Sequence, residues 1–409
     1  MHAKELKAYC ETRGYLPSCS PKSEAISAVM KWPLGLLLGA IAISCAALGG
    51  GPAYAQGVTK TQILIGQSGP LTGSNKDLGV DIRNGALAYF QKVNESGGIY
   101  GRKIDLLTLD DGNDRKRAAA DTVTLVEEKD VLALFGYASA TLSVPSLPTA
   151  EKYKVPFIGP FTGATVMRKL NPYVFNVRAS YNDELEKMVD YYTTTGMKTF
   201  AVLNYDDPVG RENLQAVETA LAKRGLKPVA VGSVKRNQTD IKDAVARVVK
   251  AAPDVVIATT LYRTTADFIK QAKKAGSAAQ FASTSFVGAS ALADSLGAEG
   301  RGVVVTQVVP PFTDASLPIV REYQAAIEKE LGKKEYSYTS LEAYIGAKVL
   351  GEAIRRAGPN LSRASLLKAL NAMQDVDVGG YFIDFSPSNH NGSKFVELTA
   401  ISTHGRFSY

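Results

Sequence analysis

Cysteine is nearly absent from this chain. Cys10, Cys19 and Cys45 all precede Gln56, so a chain starting there has neither a disulfide nor a thiol nucleophile. Histidine is as scarce, and beyond Gln56 only His390 and His404 remain; both are expected on the surface, away from any catalytic group. The one tryptophan, Trp32, lies in the same N-terminal stretch. No nucleophile elbow, phosphate-binding loop or metal-spaced cluster of His, Cys and carboxylates occurs. No enzyme activity and no cofactor or metal are therefore expected. Asp110 and Asp111 are paired in sequence, but neighbouring strand residues point to opposite faces, so they form no shared acid–base site. The formal net charge of +7 is spread along the chain without a Lys/Arg block, which argues against a nucleic-acid partner.

Long apolar runs are missing too, with one exception. Met30-Lys31-Trp32 opens a basic segment, Leu34 to Leu48 is apolar, and Ala53-Tyr54-Ala55 places small residues where a signal peptidase reads. The run is shorter than the ~20 residues that span a bilayer. Residues 30–55 are expected to be a signal peptide cleaved before Gln56, and residues 1–29 an extension upstream of a start at Met30. A competing use of Cys45 as a lipidation site is weakened by the poor match of Ala42-Ile43-Ser44. Export to the periplasm is the expectation.

From Gln62 to Asp111 the chain reads as a strand, a Gly/Pro/Ser loop, an amphipathic helix stopped by Gly97-Gly98, and a second strand. Such a βαβ opening belongs to a parallel sheet. Strand–helix units recur before and after about residue 178, which implies two similar α/β lobes. Gly380 to Phe385 and Phe395 to Ile401 read as a closing β-hairpin around Ser388-Asn389-His390-Asn391-Gly392.

The segments QILIGQSGPLTGS and GGIYGRKIDLLTLDD resemble the start of the leucine/isoleucine/valine-binding proteins, the periplasmic receptors of branched-chain amino-acid ABC importers. The resemblance runs over nearly all of Gln56 to Tyr409. It implies two doubly wound α/β lobes, the type I periplasmic binding fold, joined by a hinge that the chain crosses three times, near Arg178, Val309 and Val376. The N-terminal lobe would comprise residues 56–178 and 311–376, and the C-terminal lobe residues 179–310 and 377–409. It also implies a small-molecule carboxylate as ligand, inner-membrane ABC permease subunits as partners, and a monomer. A sensory receptor of the same fold, feeding a regulator or chemoreceptor, is the alternative.

Ligands of doubly wound sheets bind outside the carboxyl ends of the strands. Ser68, Thr72 and the backbone between them lie there, as do Ser139, Ala140 and Thr141 in one loop and Phe161, Thr162 and Gly163 in the next. Hydroxyls and helix-start N–H groups suit a carboxylate, although Ser139 could equally be an ordinary N-cap. In the resembled family these two loops hold the ligand's carboxylate and amine. The second lobe offers Tyr205, Asp207, Tyr262, Ser285 and Phe286. Tyr262 aligns with an aromatic that packs on the ligand in that family, or else covers its own lobe's core. Asp206 and Asp207 precede a helix and could be caps. The resembled receptors carry a glutamate for the ligand's ammonium where this chain has Ser285. Either Asp206 or Asp207 replaces it, or the ligand lacks an amine.

Overall fold

A computed structural model describes residues 57–73, 75–236, 240–402 and 407–408. The expected signal peptide, its upstream extension, Cys45 and His404 lie outside the described residues. Among the described residues no helix is long and apolar enough to cross a membrane.

Two sheets organise two lobes. In the first, β1 (Gln62–Gly69), β2 (Lys103–Asp110), β3 (Ala133–Phe135), β4 (Phe157–Ile158) and β5 (Val174–Phe175) lie in the order β2-β1-β3-β4-β5. All of these pairs are parallel. β1 is inside because Ile63 and Ile65 are fully buried. The helix Lys76–Glu95 follows and ends where Gly98 N–H donates to Val93 O at 2.9 Å and Gly97 N–H to Asn94 O at 3.2 Å. This is a Schellman stop, and Gly97 and Gly98 supply its positive φ of 94° and 75°.

The second sheet has the order β14-β13-β10-β9-β8-β6-β7, with β6 (Phe200–Tyr205), β7 (Pro228–Val234), β8 (Val255–Ala258), β9 (Gln280–Ser283) and β10 (Val304–Gln307) parallel. β13 (Glu397–Ile401) closes the far edge, antiparallel to β10 and to β14 (Phe407–Ser408). Between the sheets, the helix Tyr181–Thr194 starts with a capping box in which Ser180 and Asp183 satisfy each other's backbone N–H.

After β10 the chain returns to the first lobe. The helix Tyr338–Ala357, capped by the Ser337 hydroxyl, is buried over most of its surface and packs against Lys76–Glu95. Their approach is close enough that a Cβ on Gly85 would lie 2.0 Å from the carbonyl oxygen of Ser340.

The closing segment departs from the expected hairpin. β12 (Phe382–Ile383) pairs with β11 (Val376–Asp377) through the Gly379-Gly380 turn, and not with β13. Asn176 N–H donates to His390 O, and Gly392 N–H to Asn176 O, both at 2.8 Å. The free edge beside β5 thus holds the chain to Gly392, and the open edge of β10 takes β13. The last passage to the second lobe falls after Gly392, later than the expected position near Val376. His390 is not a surface residue. Its ring is 4% exposed, stacks on Phe175 at 4.0 Å, and places Nδ1 within 2.8 Å of Asn171 O. Burial lowers its pKa.

Gly85→Ala is expected to destabilise the protein by about 1–3 kcal/mol, because the clash is with backbone that has no rotamer to yield. Urea unfolding of the variant against wild type measures this.

Candidate functional site

The loops at the carboxyl ends of β3 and β4 are fastened together. Phe161 N–H donates to Tyr137 O at 2.9 Å and Ser139 N–H to Phe161 O at 3.2 Å, a parallel bridge that continues the sheet one step past its strands. Ser139, Ala140, Phe161, Thr162 and Gly163 therefore share one wall, with Thr141 half-buried on the first turn beyond.

Ser139 is the unusual member. Its φ of 101° and ψ of 155° lie in a region that is essentially confined to glycine. The side chain makes no N-cap bond, and Oγ is buried with no hydrogen-bond partner. The capping explanation therefore fails for Ser139. A buried hydroxyl without a partner costs about 1–3 kcal/mol, and a strained backbone of this kind about 1–3 kcal/mol more. Both costs are typical of ligand-binding positions.

Its neighbours are engaged. Thr162 is fully buried, donates to the Tyr181 phenol at 3.3 Å, and accepts from Ala164 N–H at 3.2 Å. A Cβ on Gly163 would fall 2.5 Å from Tyr181 N, so glycine is needed for that helix start to approach. The hydroxyls of the first loop are also occupied inside the lobe. Asp110, opposite Gly69 in the parallel register, accepts from Leu71 N–H, Thr72 N–H and Thr72 Oγ1. Ser68 Oγ lies 3.0 Å from Asp111 and 2.8 Å from Asp121. Burial raises the Asp111 pKa to about 6. These carboxylates hold the loop and take the hydroxyl protons of Ser68 and Thr72.

In the second lobe, Tyr205 places its hydroxyl 3.1 Å from both Leu261 N and Thr264 Oγ1, and Arg236 covers its ring at 4.1 Å. It supports the loop that carries Tyr262. The Tyr262 hydroxyl crosses to the first lobe and donates to Asp77 Oδ2 at 2.7 Å. Tyr262 is therefore a contact between the lobes and more than a cover for its own core. Beside it, a Cβ at Gly288 would meet Leu78 of the first lobe at 3.7 Å and Tyr262 at 4.0 Å. The turn Ser285–Val287 accordingly borders the interlobe surface, and Phe286 meets the Tyr181 ring edge-on at 6.0 Å.

Asp207 departs from expectation as a ligand residue. Oδ1 caps Gly210 N–H at 2.8 Å and Oδ2 pairs with Arg236 at 2.8 Å, so both oxygens are taken. Asp206 is exposed and pairs with Arg211 at 3.0 Å. Neither replaces the carboxylate missing at Ser285. The helix start needs the first, and the second is solvated outside.

What stands behind Ser285 is a buried ion cluster. Arg178, 1% exposed, reaches Glu184 at 2.9 Å in the second lobe and Glu342 at 3.3 Å in the first. Arg178 Nη2 also donates to Ser285 Oγ. Glu184 Oε2 accepts from Ser285 N–H at 2.8 Å and from Thr306 Oγ1 at 2.5 Å. The guanidinium lies over Phe161 at 5.1 Å and Tyr181 at 5.7 Å, which links the two walls. Burial pushes the Glu342 carboxyl up to about 7, with Arg178 opposing the shift. Its 3.3 Å contact leaves Nη1 without a properly aligned hydrogen bond, so burial prevails.

Sequence reasoning missed Glu184, Glu342, Tyr181 and Asp77, and treated Arg178 only as a crossing point. Glu342 carried a signal, as a lone charge inside Leu341-Glu342-Ala343-Tyr344-Ile345. Glu184 had none, because an acidic residue in a first helical turn is ordinary.

A cavity of about 840 Å³ opens between the lobes next to Asp77, bordered by Asp81, Asp294 and Glu335. Lys333 and Lys334 line it as well, so both signs of charge face this space.

Two outcomes test the cluster. Glu184→Leu leaves Arg178 short of its aligned partner and is expected to cost about 3–5 kcal/mol in chemical denaturation. Glu342, raised from 4.5 to about 7, keeps its proton in the folded state after the unfolded chain has lost it. Its contribution to stability is full below pH 4.5 and is lost as pH rises toward 7. Glu342→Gln should flatten that part of the stability–pH curve.

Comparison with known proteins gives a consistent result. The model of the periplasmic binding protein family matches residues 62–405. A Leu/Ile/Val-binding protein homolog 7 from Brucella abortus is 28% identical over 373 residues, 86% of this chain and 91% of that protein. The crystal structure of a possible leucine/isoleucine/valine-binding protein from Rhodopirellula baltica is 31% identical, with a TM-score of 0.82 over 86% of this chain and 97% of that one. A substrate-binding periplasmic protein from Ralstonia solanacearum is 30% identical, with a TM-score of 0.80 over 85% of this chain and 99% of that one. With two α/β lobes meeting at hydroxyl-bearing loops, the chain belongs to the family of periplasmic binding proteins that includes the Leu/Ile/Val-binding proteins.

Proposed function

We propose that this protein is an exported receptor that captures a small carboxylate between its lobes and delivers it to the membrane subunits of an ABC importer, without chemical change to the ligand. The observation that carries the carboxylate is Ser139, a buried hydroxyl with no partner on a strained helix start. A carboxylate oxygen supplies the acceptor that this group lacks, and the adjoining first-turn N–H groups favour an anion. Thr162 and Gly163 shape the same wall, Phe161 and Phe286 supply apolar surface, and Tyr262 closes over the ligand from the second lobe. Asp207 is left out of the site, and Tyr205 supports it from behind.

Closure follows from contact with both lobes. A ligand that touches the two walls only when they meet shifts the open–closed balance by its difference in affinity. The two lobe surfaces brought together would then form a composite face for the permease, with the receptor acting as a monomer from the periplasm after cleavage before Gln56. The first lobe would run to about Arg178 and resume from the helices after Pro311 to about Gly392, and the second would take the remaining segments.

A thermal-shift screen against amino acids, aromatic acids and 2-oxo acids tests this reading. A ligand at about a hundred times its Kd should add about 2.7 kcal/mol to stability. If no carboxylate raises the melting temperature, the reading fails. Ser139→Gly should leave the unliganded protein at least as stable, since glycine adopts this backbone without strain, yet lower affinity about tenfold through the lost hydroxyl. Isothermal titration of the variant decides this.

A further inference from the structure

We propose that Asp77 is a positioning residue that latches the lobes together through Tyr262, so that the protein reaches its closed arrangement without a ligand. The latch is independent of what the cleft binds.

The contact joins residues of opposite lobes. Tyr262 opens the helix Tyr262–Lys274 in the second lobe, and Asp77 lies in the first turn of Lys76–Glu95 in the first. The tyrosine hydroxyl donates to Asp77 Oδ2 at 2.7 Å. A hydroxyl bond of this length to a carboxylate is of the stronger, charge-assisted kind. Burial, with Asp77 adding to it, pushes the Tyr262 phenol up to about 12. It therefore keeps its proton, and stays the donor, at physiological pH.

Each end of the bond is fixed by its own lobe. Leu261 N–H donates to the Tyr205 hydroxyl at 3.1 Å and anchors the residue before Tyr262. Leu71 N–H donates to Asp110 Oδ1 at 2.8 Å and anchors the loop before Asp77. A movement of either lobe as a body thus breaks the bond, and no slack in the loops absorbs it. Apolar surface closes one side of the contact, because a Cβ at Gly288 would touch both Leu78 and Tyr262, and Leu78 is buried.

Charges of the second lobe act on Asp77 with both signs. Arg263 attracts it and Asp294 repels it. These effects oppose each other, which leaves the hydrogen bond as the directed attraction at this point. The same bond has to break before a ligand enters or leaves.

Small-angle X-ray scattering of the ligand-free protein tests the latch. Wild type is expected to scatter as the closed arrangement. Asp77→Ala removes the acceptor and should move the closed–open balance about tenfold toward the open form, seen as a larger radius of gyration. Asp77→Asn loses the same charge but keeps an acceptor, so it should scatter as wild type. Tyr262→Phe loses only the hydroxyl and should open the protein as Asp77→Ala does; it keeps the test decisive if Asp77→Ala fails to fold. The double variant should be no more open than either single one, because the two changes remove one bond.

A wild-type protein that scatters as an open form without ligand overturns the proposal. So do single variants that stay closed, an Asp77→Asn protein as open as Asp77→Ala, or effects of the two positions that add.

Discussion

Arg178 is the constraint on which the two-lobed arrangement depends. A guanidinium that is 1% exposed cannot be left without counter-charge, since an unpaired buried ion costs several kcal/mol. Glu184 supplies that counter-charge from the second lobe, and the Glu342 carboxyl lies 3.3 Å from the guanidinium on the other side. The charge thereby ties together a passage between lobes, the first helix of the second lobe and the buried helix Tyr338–Ala357 of the first. The rings of Phe161 and Tyr181 lie 5.1 Å and 5.7 Å from the same group, so the segments that carry them are held against it. Tyr381 adds a related tie, with its hydroxyl 3.0 Å from Val308 O and 3.4 Å from Val177 O, between the first two passages.

The site divides into a rigid frame and a few unfulfilled groups. Aspartates at the end of β2 fix the first loop, Tyr205 fixes the loop of Tyr262, and Thr162 is spent on Tyr181. Most of the hydroxyls near the cleft therefore serve the protein. Ser139 Oγ, on the wall of the first lobe, is buried without a partner.

Much of the architecture was legible in the sequence. Alternating strand and helix signals gave the parallel sheets, and the Gly97-Gly98 stop is where the pattern placed it. The loops of Ser139 and Thr162 lie side by side at the ends of β3 and β4 as expected, because strand ends and hydroxyl-rich helix starts are local signals. The closing segment misled, because two short apolar runs around a turn look like a hairpin whether or not they pair. Only the competition between the free edges of β5 and β10 separates them, and that is a tertiary matter. His390 misled for the same reason: a histidine in an Asn/Gly turn reads as exposed until Phe175 stacks on it. The Arg178 cluster joins residues 178, 184, 285 and 342, and no pattern in one sequence shows such a meeting.

The most direct measurement is a crystal structure of the protein with the carboxylate that stabilises it best. The account predicts the carboxylate within hydrogen-bond distance of Ser139 Oγ and the lobes closed with Tyr262 over the ligand. A ligand seated with its carboxylate away from Ser139, or lobes that stay apart around it, would contradict it.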